Sequence, residues 1–111
     1  MQQEMNFENK LILSDEAKKK YLERLIGKMI KILHLVEERK DTGINPSDFI
    51  YGQLIELNSA NQLFNNELIE IIVKLNIIYN GYDELEFKEI KKQIFEIKNK
   101  INYLLKSFDK R

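Results

Sequence analysis

The chain has no cysteine. Disulfides, thiolate metal sites and thiol nucleophiles are therefore excluded, and a cytoplasmic setting is expected. Its single histidine, His34, leaves no second imidazole for a helical di-metal carboxylate site and only one candidate base for a serine-type triad. The four glycines, at 27, 43, 52 and 81, are scattered, whereas phosphate-cradling loops cluster them at a helix start. Neither charge sign dominates: Lys+Arg and Asp+Glu are both 18, so no global field draws the chain to nucleic acid or membrane. Long apolar runs are also missing. Leu11-Ile12-Leu13 is too short for a signal peptide. Leu68 to Tyr79 is interrupted by Glu70, Lys74 and Asn76 and falls short of the roughly 20 apolar residues a membrane span needs.

What remains is sufficient for a core. With 43% hydrophobic and 32% charged residues in 111, the composition fits one folded domain and not a disordered chain. We read residues 1–13 as an N-terminal arm and 14–111 as a single helical-bundle domain. Abundant Ile, Asn and Lys point to an AT-rich coding sequence, as in a low-GC bacterium or a mobile element.

The last segment is the clearest. Phe87, Ile90, Ile94, Ile97, Ile101, Leu104 and Phe108 recur at alternating spacings of three and four, which only a helix gathers on one stripe. Asp83 with Glu86 reads as an acidic capping box at its start, and Gly81 as a left-handed stop for the helix before. Leu22, Leu25, Met29, Ile32 and Val36 repeat the pattern over residues 15–40, with Ile26, Ile30 and Leu33 widening the face. Ser14 is the expected N-cap, and Gly43 the stop. Asn45-Pro46-Ser47-Asp48 opens a helix over 46–63 carrying Phe49, Ile50, Tyr51, Leu54, Ile55 and Leu57. A break is expected at Asn65-Asn66, with Asn65 capping the next helix and Phe64 stapled onto Ile69.

Residues 66–80 contain the β-branched run Ile71-Ile72-Val73, which would suit a strand. The spacing of Leu68, Ile72, Leu75 and Tyr79 favours a helix. The fold predicted is all-α: an antiparallel, up-down four-helix bundle with helices over 15–40, 46–63, 66–80 and 84–108.

No catalytic, cofactor or metal site is expected. His34 lies off the apolar stripe, and with Glu38 four residues on supplies only two ligands. Lys18-Lys19-Lys20 and Lys88, Lys91, Lys92 and Lys98 form basic clusters. Glu84, Glu86, Glu89 and Glu96 are interleaved with the second set, so specific nucleic-acid binding is not expected. Gly27 and Gly52 sit inside helices, where each costs about 1 kcal/mol relative to Ala; Gly27 falls on the outer side of its helix.

The apolar excess of the third helix is the informative feature. With Leu68 centred on the inner face, Ile69, Ile71, Ile72, Leu75, Ile78 and Tyr79 spread over about half the circumference at about 100° per residue. Val73 and Ile77 fall on the opposite side, beside Glu70. Either this helix is enclosed on all sides or Val73 and Ile77 meet another chain. The expected function is a non-enzymatic protein–protein interaction module that buries apolar helical surface against another protein or a second copy of itself.

In size and architecture the chain also resembles bacteriocin immunity proteins, small lysine-rich helical bundles of low-GC bacteria. That resemblance implies protection of a producer cell at its own membrane. A third class is a phage or plasmid accessory protein contacting nucleic-acid machinery. The neighbouring genes would separate these classes.

Overall fold

Ser14 starts the first helix as its sequence suggests: its Oγ accepts from the Ala17 N–H at 3.2 Å, with Asp15 and Glu16 in the positive first turn. A computed structural model of the chain describes residues 3–5, 11–43 and 45–109, with side chains described for 13–38, 43 and 45–109. Helix α1 (Asp15–Thr42) is followed by α2 (Ser47–Asn61), α3 (Ile69–Gly81) and α4 (Phe87–Asp109). Ahead of them, β1 (Gln3–Met5) and β2 (Leu11–Leu13) pair as a short antiparallel ribbon with Gln3 opposite Leu13. The sequence gives no hint of this ribbon; the remainder of the expected arm lies outside the described residues.

Charged contacts show the direction of three of the neighbouring helix pairs. Lys19 binds Asp109 between α1 and α4. Glu70–Lys100 and Lys74–Glu96 run antiparallel between α3 and α4. Lys28–Glu56 and the Lys31 ammonium over the Phe49 ring do the same for α1 and α2. The expected up-down bundle is what forms. α1 packs on α4, α4 on α3 and α3 on α2, while the α1–α2 seam is the loosest. With principal extents of 50 × 24 × 20 Å, the cross-section is two helices by two, because packed helices lie about 8–10 Å apart. Every helix therefore keeps an outward side.

The period-3.5 stripes face inward. Ile90, Ile94, Ile97, Ile101, Leu104 and Phe108 are buried on α4, and Leu22, Leu25, Met29, Ile32 and Val36 on α1. Phe87 departs from expectation: it is the first residue of α4 and stands partly in solvent, as does Ile30 on α1. Residues 71–73 are helical despite their β-branching, since Ile71, Ile72, Leu75 and Ile78 find the shared core.

The helix ends need several corrections. Gly43 does take the left-handed conformation (φ 72°), but Gly81 does not; it ends α3 and accepts the Glu84 and Leu85 N–H groups through its carbonyl. The proposed Asp83–Glu86 box is displaced, because α4 begins at Phe87 and the Glu86 carbonyl accepts the Ile90 N–H. α2 runs over Ser47–Asn61 and not 46–63: Pro46 is its N-cap instead of its first residue, and Asn45 just before it accepts the Ser47 N–H on its side chain. Asn65 does not cap α3. Asn65 and Asn66 are both left-handed, at φ 52° and 65°; α3 starts from Leu68 with no side-chain cap, and Asn61 braces the turn before it. Its Oδ1 accepts the Leu68 N–H at 3.0 Å while its Nδ2 donates to Asn66 Oδ1. Asparagine tolerates this conformation better than other non-glycine residues.

This turn also redirects Phe64. It does not staple Ile69 but is fully buried against the Tyr21 ring, centroids 5.3 Å apart. The Leu13 N–H donates to the Leu63 carbonyl, so the ribbon is tied to the same turn. Lys18, expected among surface lysines, is buried here, with its ammonium 3.3 Å from Glu67 and above the Phe64 and Phe108 rings.

Candidate interaction surface

Val73 and Ile77 lie where their spacing places them, on the outward side of α3. They are 52% and 49% exposed, so α3 is not enclosed on all sides. Ile69, expected on the inner half, is 49% exposed and joins them. The three are four residues apart, so they form one row along the helix. The inner face is narrower than expected by Ile69 alone: Ile71, Ile72, Leu75 and Ile78 are buried and Tyr79 packs against them half-buried.

The adjacent helix α2 adds to the same side. Tyr51 and Ile55 are exposed, one turn apart and off the buried row of Ile50, Leu54 and Leu57. The Tyr51 and Tyr79 rings meet edge to face at 5.6 Å, which joins the α2 residues to α3. Sequence reasoning missed Tyr51, Ile55 and Ile69. Their signal was available: Ile69 continues the Val73–Ile77 row, and Tyr51–Ile55 repeats its spacing on the neighbouring helix.

Charged groups border this surface at α3–α4, where Lys74 binds Glu96 at 3.2 Å and Lys100 binds Glu70 at 2.9 Å. These are partly exposed pairs, each worth at most about 1 kcal/mol. They hold α3 to α4 while its outer row stays uncovered.

The loose α1–α2 seam opens a cleft of about 260 Å³ lined by Tyr21, Arg24, Leu25, Lys28 and Glu56. Burial, reinforced by the negative charge of Glu56 and opposed by Arg24, pushes the Tyr21 hydroxyl up to about 12. That phenol holds its proton at neutral pH and is no base there. His34 is exposed on α1. Among the described residues, no three His, Cys, Asp or Glu side chains come together as a metal site, and no helix is long and apolar enough to cross a membrane. No family model matches the chain, and no curated protein or solved structure is significantly similar to it.

Proposed function

We propose that the protein is a non-enzymatic interaction module that buries apolar helical surface against another chain, with a second copy of itself as partner. The observation that carries this reading is the row Ile69–Val73–Ile77, each residue about half exposed. One exposed aliphatic residue is ordinary on any soluble surface. Three in a row, beside exposed Tyr51 and Ile55, make a patch of the kind that marks association sites. The row is also symmetric, with isoleucine four residues to either side of Val73. A two-fold axis through Val73 would set Ile69 of one copy against Ile77 of the other, the self-complementary contact that cyclic dimers require.

The test is the double change Val73→Ser with Ile77→Lys, followed by sedimentation across a dilution series. Helicity and melting should stay close to those of the unchanged protein, because neither side chain is in the core. Self-association should weaken at least about tenfold, since a lysine placed in a dry contact strands its charge. A folded double mutant with unchanged assembly would remove this face as the interface. An unfolded one would place both residues in the core.

A further inference from the structure

Helix α4 separates its charges by side. Glu89 and Glu96 fall on the flank toward α3, where Glu96 is held by Lys74. Asp109 closes the far end, bound to Lys19, and Glu84 and Glu86 precede the helix. The outward side then carries Lys88, Lys92 and Lys106, all exposed, and continues onto the opposite flank with exposed Lys91 and half-buried Lys98. None of these five has a carboxylate within ion-pair distance among the described residues. Glu89 and Glu96 border this side one turn from Lys92 and leave lysine in the majority on it. Lys88 to Lys106 covers about 27 Å along one straight helix at about 1.5 Å per residue.

One aromatic ring shares this side. Phe95 is exposed, with the Lys98 and Lys91 ammonium groups 5.2 and 6.0 Å from its centroid. Tyr103, the most exposed large hydrophobic side chain described, borders this side on the α3 flank, in the row of Glu89 and Glu96, with the Lys100 ammonium 5.1 Å from its ring. Where ammonium groups cover the ring faces, a nucleic-acid base would have to displace them in order to stack. A flat anionic interface makes no such demand. Ring edges enter at headgroup depth while lysines stay with the phosphates.

We propose that the outer face of α4 docks the protein onto a bilayer containing anionic phospholipid, with Lys88, Lys91, Lys92, Lys98 and Lys106 meeting the headgroups and Phe95 lying in the interface. This face is distinct from the Ile69–Val73–Ile77 row, so the two readings stand or fall separately.

The chain lacks tryptophan, so Phe95→Trp supplies a lone reporter on α4 and Tyr51→Trp one on α2, the helix diagonal to it. Each is titrated with vesicles of mixed phosphatidylglycerol and phosphatidylcholine, and with phosphatidylcholine alone. Tryptophan at 95 should shift to the blue with the anionic vesicles only, and tryptophan at 51 should not respond. In the 95 reporter background, Lys92→Ala with Lys106→Ala should leave helicity intact and weaken vesicle binding by about tenfold or more, in line with about fivefold per lysine near an anionic surface. Raised salt should weaken it further. A folded 95 reporter that stays silent with anionic vesicles overturns the proposal. So does a response from position 51 instead, equal binding to neutral vesicles, or displacement from vesicles by DNA at matched phosphate concentration.

Discussion

Lys18 and Glu67, 49 residues apart in sequence, meet at 3.3 Å where the start of α1, the α2–α3 turn and the end of α4 converge. The lysine is 4% exposed and its ammonium also lies over the Phe64 and Phe108 rings, so one side chain joins three segments of the chain. Removing a partner from such a contact leaves a buried charge uncompensated, whereas an apolar replacement of similar length leaves none.

Glu67→Ala should therefore cost about 1–3 kcal/mol, less than for a fully enclosed pair because the Glu67 side chain is 24% exposed. Lys18→Met should cost less than about 1 kcal/mol, while Lys18→Ala, which empties the space between the rings, should cost about 2–4 kcal/mol. Urea denaturation of the three variants decides it. If Lys18→Met is as damaging as Lys18→Ala, the charge and not the packing is what holds this end.

Tyr21 gives the bundle an alkaline limit. Its hydroxyl is pushed up from an ordinary value near 10 to about 12 by burial. Above pH 10 the unfolded chain thus releases this proton more readily than the folded one. The folded state keeps its full advantage below about pH 10 and loses it as pH rises through about 12, by on the order of 2 kcal/mol. Tyr21→Phe has no proton to lose. Its stability should fall less steeply between pH 10 and 12 than that of the unchanged protein; parallel curves would show that Tyr21 titrates normally.

Gly27 and Gly52 lie inside α1 and α2, exposed, and a methyl group at either would meet no atom within 4 Å. Gly27→Ala and Gly52→Ala should each raise stability by about 0.5–1 kcal/mol through lower unfolded-state entropy. Thermal melts would show the gain. A variant that melts higher but sediments as a smaller species would place its glycine at a contact between chains.

What could be read from the sequence is whatever repeats. The stripes of α1 and α4 announce themselves because five or six buried positions share one period, and period survives any single exception such as Phe87 or Ile30. Val73 and Ile77 were visible for the same reason, as positions that break a stripe. Lys18 was not visible: a lysine among lysines carries no sign that one of them will be drawn under two distant phenylalanines. The ends of α3 and α4 were misplaced because several asparagines and acids near each junction could all serve as caps. Asn65 is drawn away from the cap position into a left-handed turn built from residues on both sides. Ile69 went astray because one residue of rotation, about 100°, separates an inner position from an outer one at the start of a helix.

The seam between α1 and α4 is the most extensive contact between helices in the bundle, yet it joins the two of the four helices that lie farthest apart in sequence. α2 and α3 can close on each other across a short turn as soon as both exist. Leu22, Leu25, Met29, Ile32 and Val36 must wait for α4 before the larger part of their cover arrives. Pairings so distant in sequence bear the greater loop-closure entropy and form late. During synthesis α1 is therefore an amphipathic helix without its main partner, open to chaperones or to a neighbouring nascent chain, and completion of α4 ends that interval.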